Sequence, residues 1–554
     1  MKQKRRLSMK AVRFFKFSSK TIATATALAA AAALTIQASS KNSDRFDEIR
    51  AGFDGILRSS RAIYTVTLNT VDYKYSLRGI HSDSDEYRRK LAEVHHRSAI
   101  RILKLCEGNK GFYVKAGQFV AAVRQVPKEY SSTLSSLQDK AAPCQLNAIK
   151  KVLASNLGHD WSDLFSSFDE KPIAAASIAQ VHHAVLKDQS EVAVKVQYPG
   201  LKYLMKIDII TMDLLSKAIS WIFPEYRFDW MISEFERAIS LELDFIQEAK
   251  NSERTAENLK SNSMVRIPRV FWDLTTSHVL TMEYCPGIKV DDLDLLKKNK
   301  INPVKVAKAL VEVFAEMIFV HGFLHGDPHP GNILVSPEGH DDFSLILLDH
   351  GVYKELDQEF RLEYCQLWKA LILQDSKQIE LLGENFGVGK YSKYFPIIFT
   401  GRTVDSKAVL GTGMSAEEKN KLKLELKSLK MDDISSFMES LPSDFLTILR
   451  TDGLLRSIVS KLGASQRIRL FAYAKYAVYG LSRKLEPLTD PALDSVASQL
   501  KATFAYLRLR LFVELMELLY MVEGFHRSLV SRIKLVLAEA LDMLVRISSF
   551  SFIK

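Results

Sequence analysis

The sequence predicts an α+β chain of two unequal lobes, a small one built on a β-sheet and a larger one mostly helical, with a helical extension ahead of them and further helices behind. Three observations carry this prediction. Strand-like runs cluster between residues 173 and 283, beginning with IAAASIAQVHHAVLKDQSEVAVKVQY, where two β-rich stretches flank the turn-like KDQS. Pro286 and Gly287 then interrupt the chain as a hinge. Beyond them the spacing is helical, broken by two short apolar strands, NILV and SLILLD. With 554 residues, 47% hydrophobic and 25% charged, the chain has material for several such units. The expected divisions are 1–40, 41–148, 149–287, 288–500 and 501–554: leader, helical extension, small lobe, large lobe and helical tail.

Taken in order, residues 1–20, MKQKRRLSMKAVRFFKFSSK, are basic, Ser-containing and free of acid, with an apolar face, the composition of a mitochondrial presequence. Residues 21–40, TIATATALAAAAALTIQASS, are uncharged and, at about 1.5 Å per residue, long enough to cross a bilayer. Their Ala and Thr content makes a weak span, and a cleaved secretory segment or an exposed Ala-rich helix reads similarly. The leader is an address or an anchor, and the expected location is the mitochondrion, in association with its inner membrane. After residue 44, charged and apolar residues mix at helical spacing, and Ile100, Leu103, Phe112 and Phe119 predict one buried stripe interrupted near Gly108 and Gly111.

Past the first two strands, Ile232, Phe235, Ile239, Leu243 and Ile246 predict a helix. VRIPRVF and HVLTMEY predict two more strands that lead to the hinge. Residues 412–432 are charge-rich and read as a linker or surface helix. From 501 onward the chain is apolar and basic, and Phe512, Leu515, Leu519 and Val522 share a helical face expected to pack into a core or bundle, with a membrane-surface helix as the alternative.

Charge excludes one class of partner. The net charge is +11, but positions 1–43 hold nine Lys or Arg and no acid. The rest of the chain carries 67 basic against 65 acidic residues, so a basic groove for nucleic acid is not indicated. Cys106, Cys144, Cys285 and Cys365 are far apart and fit neither a zinc spacing nor a disulfide framework. They read as buried thiols.

The chemistry concentrates in HGDPHPGN, residues 325–332, and LLDHG, residues 347–351. Mg²⁺ takes oxygen ligands and usually only one or two protein carboxylates beside phosphates and water. Asn332 offers an amide oxygen and Asp349, at the end of an apolar strand, a carboxylate. Asp327, five residues before Asn332, is placed to act on the reacting phosphate as a base or positioning group. Pro328 and Pro330 stiffen the turn between them, and His325 and His329 are expected to brace it. Upstream, Lys195 interrupts the β-branched VAVKV. Alone it reads as an outward strand residue, but the helix that follows, LELDFIQEAKN, offers Glu242, Asp244 and Glu248 as partners. Glu242 and Glu248 are about 240° apart on a helix, so both cannot face one Lys, and periodicity does not choose between them. A sheet carrying a Lys, a helix carrying a Glu, a hinge, and a helical lobe with Asp and Asn on a loop is the order of parts in a protein-kinase-like bilobal fold. Glu283 and Tyr284, just before the hinge, are then candidate nucleotide contacts.

The chain resembles the UbiB family of aarF-domain-containing atypical kinases. The resemblance rests on KAGQ (115–118), LQDKAAP (137–143), AAASIAQVH (174–182), VAVKVQ (192–197), ELDFIQEAKN (242–251), HGDPHPGN and LLDHG, and continues more weakly through LPSDFLTILRTDGLLRSI (441–458). It implies that Lys195 pairs with Glu248 and contacts ATP phosphates, that Asp327 takes the catalytic-loop role, and that Asn332 and Asp349 hold Mg²⁺. It also implies a phosphate-covering loop made of Ala174, Ala175, Ala176 and Ser177 where a protein kinase has glycines. Each methyl there restricts positive φ and close approach to phosphate. Finally, it implies a lid: Lys115 and Gln118 near the nucleotide, with Glu242 as the partner of Lys115.

Such a lid would obstruct a protein substrate, and the sequence after Asp349 agrees. Phe360, Tyr364 and Leu367 resume helical spacing soon after LLDHG, and no APE closes an activation segment. The expected activity is that of an atypical kinase or ATPase using ATP and Mg²⁺, with a lipid-like acceptor. The resemblance implies roles in mitochondrial lipid homeostasis and organisation of the cristae, with membrane, lipid and mitochondrial proteins as partners. The alternatives are a nucleotide-binding scaffold and a true Ser/Thr protein kinase.

Overall fold

The computed structural model describes residues 45–550 apart from 82–83, 123–125, 140–142, 159–160, 224–228, 340–341, 428–436, 438–439 and 483–490. The leader, and the expectations placed on residues 1–40, lie outside the described residues. What is described is a kinase-like bilobal α+β fold with a helical extension before it and helices after it.

The extension holds α1 (Arg45–Ser76), α2 (Asp85–Asn109), α3 (Phe112–Ala122) and α4 (Lys128–Leu134). Ser84 caps α2 by accepting the Tyr87 amide. Lys110 and Gly111, both at positive φ, end it and start α3. Phe112 and Phe119 are buried and Leu103 half-buried, but Ile100 is 36% exposed, against expectation. The turn at 110–111 sets the faces of α2 and α3 independently, so one stripe cannot run through both.

In the small lobe, α5 (Leu146–Leu157) lays Ile149 and Leu153 on Val192, Val194 and Val196 of the sheet. Strands β1 (Phe165–Phe168), β3 (Ala179–Leu186), β4 (Glu191–Gln197) and β6 (Val279–Glu283) follow one another across this antiparallel sheet, and β2 (Ala174–Ala175) pairs with β3. KDQS is the β3–β4 turn, with Gln189 at positive φ and Leu186 donating to Ser190 O at 2.9 Å. Next come α6 (Leu201–Ile222), α7 (Asp229–Glu242) and α8 (Phe245–Asn258). Arg58 of α1 donates from Nε to Asp208 of α6 at 3.0 Å, joining the extension to this lobe. The single helix expected around Ile232–Ile246 is two. Asp244 takes the Ile246 amide at 3.0 Å and caps α8, competing with helix continuation as short polar side chains do. VRIPRVF also differs: only β5 (Val265–Arg266) forms, and it pairs in parallel with a strand of the other lobe. Pro268 has no amide hydrogen to give a ladder, and Val270 makes a single bridge to Met282.

The large lobe carries a four-stranded sheet, β5–β10–β9–β7, and a two-stranded one, β11–β8. Their strands are β7 (Ile288–Lys289), β8 (Phe323–His325), β9 (Ile333–Glu338), β10 (Asp342–Leu347) and β11 (Tyr353–Glu355). Around them stand α9 (Pro303–Ala315), which passes into a π-helical turn at Glu316–His321, then α10 (Gln358–Leu373), α11 (Ser443–Lys461) and α12 (Gln466–Ser482). Phe314, Phe319, Tyr364, Trp368, Phe445 and Tyr473 form the aromatic centre of the main core. Within it Arg469 meets Asp452 at 2.8 Å, a buried charge held by its counter-charge. The charged 412–432 stretch contains a helix, Ala416–Lys427, most of whose residues from 416 to 423 are exposed. The four cysteines are free; three are buried, and Cys144 is half-buried.

The last helix, α13 (Pro491–Phe550), corrects another expectation. Phe512, Leu515, Leu519 and Val522 are 46%, 52%, 53% and 58% exposed, while Leu509, Val513 and Glu517 are buried. Apolar residues run around most of this helix, so periodicity alone does not select the face that meets α12 and the turn at 402–410. Among the described residues, no helix is long and apolar enough to cross a membrane.

Gly480 of α12 lies where a Cβ would overlap the Phe319 carbonyl oxygen and come within 2.9 Å of Cys365 Sγ. Gly480→Ala should therefore cost roughly 1–3 kcal/mol as overpacking, read as a lower urea midpoint at unchanged m-value.

Candidate functional site

Lys195 sits mid-strand in β4, between Val181 of β3 and Leu280 of β6, and is buried. Its Nζ donates to Glu248 Oε1 at 2.7 Å, to Glu248 Oε2 at 2.9 Å and to Asp349 Oδ2 at 3.1 Å. All three ammonium hydrogens are thereby used. The break at Leu243–Asp244 decides the question that periodicity leaves open: Glu248, in the first turn of α8, takes Lys195, and Glu242, the last residue of α7, takes Lys115 at 2.9 Å. Gly351 lies between them, and a Cβ there would approach Asp349 Oδ1 to 3.2 Å, Glu242 to 3.5 Å and Glu248 to 3.6 Å.

The β9–β10 hairpin places the two proposed metal ligands. Its register pairs Ile333 with Leu347, and Leu348 N donates to Asn332 O at 3.0 Å, so Asn332 and Asp349 emerge side by side. Asn332 Nδ2 donates to the Asp327 carbonyl at 3.3 Å, leaving the amide oxygen for a ligand. Asp349 Oδ1 accepts the Gly351 amide at 2.9 Å. An oxygen-only pair of one carboxylate and one carboxamide suits Mg²⁺, which completes its shell with phosphate and water. His325 Nδ1 accepts the Asp327 amide and His329 Nδ1 the Gly331 amide, both at 3.1 Å, so each ring braces the loop. His350 is buried, its Nδ1 3.0 Å from Tyr353 Oη and its Nε2 3.1 Å from Leu347 O, and burial pushes its pKa down to about 3.

Asp327 is held by two cations. Arg450 Nη2 of α11 lies 3.2 Å from Oδ1, and Lys115 Nζ of α3 lies 3.6 Å from Oδ2. Arg450 also stacks over the Phe119 ring of α3 at 5.5 Å, so α3 and α11 meet the HGDPHPGN loop together. Burial disfavours the Asp327 charge, but Arg450 and Lys115 outweigh it and hold the pKa below the ordinary aspartate value. Asp349 is likewise desolvated yet held low, by Lys195. Glu248 is pushed up to about 7 by burial, against the pull of Lys195. Lys115 stays protonated despite burial because Glu242 and Asp327 flank it. Of the four acids that face Lys115, Lys195 and Arg450, Asp327 and Asp349 are the two held in the charged form, which suits a divalent cation beside them.

The other sequence-selected residues are held by contacts of their own. Gln118 Nε2 donates to Leu137 O at 3.0 Å, tying α3 to the segment after α4, and Gly117 leaves room for Leu137 and Cys106 beside it. Glu283 accepts from Arg266 at 2.5 Å and from the Arg269 amide at 3.3 Å. The Tyr284 ring stands edge-on to His183 at 4.6 Å. Ala174 and Ala175 pair with Val181 and Gln180, and Ala176 N bonds Ala179 O at 2.8 Å, forming a short hairpin with no positive φ and Ser177 buried behind it. Arg450 was missed by the sequence reading. It lies in LPSDFLTILRTDGLLRSI, but a lone Arg on an amphipathic helix ordinarily snorkels to water.

Arg450→Gln removes the nearer cation from Asp327 and should raise the Asp327 pKa. A depressed carboxyl contributes stability above its unfolded pKa and loses it as pH falls through the folded value. The variant should be less stable at pH 7 by roughly 1–3 kcal/mol and should lose less further stability on acidification than the parent, as read by urea melts at several pH values.

Comparison with known proteins follows the same stretches. The ABC1 atypical kinase-like domain matches residues 136–382. AarF domain-containing protein kinase 1 of Xenopus tropicalis is 39% identical over 467 residues, covering 83% of this chain and 88% of its own. The mouse protein of that name is 38% identical over 413 residues, covering 74% and 78%. AarF domain-containing kinase 1 of Drosophila melanogaster is 36% identical over 423 residues, covering 75% and 82%. On this similarity, extending over most of its length, the chain belongs to the ABC1 atypical kinase family of AarF domain-containing proteins.

Proposed function

We propose that the protein is a mitochondrial atypical kinase or ATPase that uses ATP and Mg²⁺ on a lipid-like small molecule, and that it supports lipid homeostasis and cristae organisation in association with the inner membrane. The observation that carries the acceptor class is Lys115: α3 sets it against both Glu242 and Asp327, which lays the helix across the approach a peptide would use. The interval from Asp349 to α10 supports the same reading, because only residues 350–357 separate them and no peptide-docking segment fits there. The basic, acid-free leader supports the location.

In this reading Lys195, oriented by Glu248, binds the nucleotide phosphates. Asn332 and Asp349 would hold Mg²⁺, which would supply neutralisation of phosphate charge. Asp327, ionised at neutral pH, orients the acceptor hydroxyl rather than acting as a strong base, since two cations already draw on its charge. The same pairing favours a second reading, a nucleotide-binding scaffold for mitochondrial membrane proteins, in which Asp327 stays latched and turnover is absent.

The purified full chain, assayed for ATP turnover with Mg²⁺ and vesicles of mitochondrial lipid composition, separates the two. Turnover should fall by about 10²-fold or more in Asp349→Asn and in Asp327→Asn, with nucleotide affinity of the latter within a few-fold of the parent. Turnover indifferent to both substitutions, or absent with and without vesicles while ATP still binds, refutes the enzymatic reading.

A further inference from the structure

Helix α13 is held by the fold only in its first half. Ala502, Leu509, Val513 and Glu517 are buried, and Glu517 takes Arg467 at 2.8 Å and the Leu410 amide at 2.7 Å. Past Glu517 no described residue of the helix is buried, so its second half leaves the protein without packing on it. A polar helix does this at no cost. On α13 the side turned away from the protein is hydrocarbon, and a long apolar surface facing water marks an interaction site.

Opposite the buried side, eleven large apolar side chains, each 46–72% exposed, follow one another at steps of three or four residues from Leu500 through Phe504, Leu511, Leu518 and Phe525 to Val536. Their mean spacing is about 3.6, the repeat of a straight α-helix. A two-helix seam repeats every 3.5 residues, and a straight helix drifts from it by about 20° per heptad, or roughly 100° over this length. The stripe therefore keeps to one side of a straight rod, which suits a flat apolar layer rather than a second helix coiled around it.

The charges beside the stripe identify the layer. Glu514 pairs with Arg510 at 2.9 Å, Glu517 with Arg467 at 2.8 Å and Glu523 with Lys407 at 2.8 Å, so each acid between 500 and 536 already holds a cation of the protein. Lys501, Arg508, Arg532 and Lys534 are exposed and have no ion pair among the described residues. Lys501 and Arg508 on one side and Arg532 on the other lie about 60–80° from the centre of the stripe, where long side chains reach outward past an apolar surface. This surplus of positive charge repels a second copy of the same helix and attracts anionic head groups.

We propose that α13 lies on an anionic lipid surface, with the Leu500–Val536 stripe sunk among the acyl chains and Lys501, Arg508 and Arg532 level with the head-group phosphates. This rests on the membrane association of the proposed function and assigns it to an element of the described fold, apart from the leader.

Hydrogen–deuterium exchange of the full chain, read peptide by peptide with and without vesicles, tests this. Vesicles of phosphatidylcholine mixed with phosphatidylglycerol should slow exchange across residues 500–536 by about tenfold or more, and phosphatidylcholine alone should do so far less. Leu518→Glu combined with Phe525→Glu changes only exposed positions. It should remove this protection at an unchanged urea midpoint. Lys501→Glu combined with Arg508→Glu should weaken it at low salt and have little effect at high salt. Vesicle binding that leaves exchange at 500–536 unchanged, or protection that survives Leu518→Glu with Phe525→Glu, would overturn the inference and leave membrane association through the leader standing. Binding to neither vesicle would overturn both. Equal protection on phosphatidylcholine alone would overturn the anionic surface. A chain that is dimeric without lipid and made monomeric by Leu518→Glu with Phe525→Glu would give the stripe to a second copy and overturn the lipid.

Discussion

The Lys195 ammonium has three hydrogens, and three carboxylate oxygens receive them, two from Glu248 and one from Asp349. A buried cation tolerates few arrangements, because losing one partner leaves an uncompensated charge in a medium that solvates it poorly. The positions of β4, α8 and the strand end after β10 are therefore mutually dictated. Further bonds serve the same geometry. Gln197 Nε2 at the end of β4 holds the Leu243 carbonyl at the α7–α8 junction at 2.7 Å, and Asn251 Nδ2 of α8 holds the His350 carbonyl at 3.0 Å. Sheet, helix and LLDHG loop are thus joined by polar contacts as well as by the apolar cluster around Phe245 and Leu280.

A second charge group is built the same way around Asp327, from elements far apart in sequence. Lys115 comes from the extension, Glu242 from the end of α7 and Arg450 from α11. Helix α3 is fixed at its other side by Gln118 and by the close packing that Gly117 permits. The extension is thus part of the candidate site's architecture, and it is seated on the small lobe through Arg58 and Asp208, where burial opposes the Asp208 charge and Arg58 offsets it only in part.

What could be read from the sequence follows from how local each determinant is. Lys195, Asp327, Asn332 and Asp349 stand in short motifs whose residue types and spacing already name a chemistry, and the β3–β4 and β9–β10 hairpins are set by neighbouring residues. Periodicity did not choose between Glu242 and Glu248, because the helical phase relating them is cut by one capping Asp, and only the family resemblance implied the pairing. Arg450 was hidden for a different reason: its contact depends on α11 lying against the HGDPHPGN loop, 123 residues away in sequence. The buried face of α13 was misread since the helix is apolar nearly all round, and VRIPRVF was misassigned because a proline divides it between two sheets.

The contacts that hold α3 over Asp327 have a mechanical consequence. Ion pairs inside a dry cleft attract strongly, but once water enters the effective dielectric rises and the same charges at greater separation barely interact. The first fraction of an opening movement therefore meets most of the resistance, and the remainder meets little. A helix restrained this way acts as a latch with two positions rather than a spring with many, and the time the site spends open is governed by how often the latch fails as a unit.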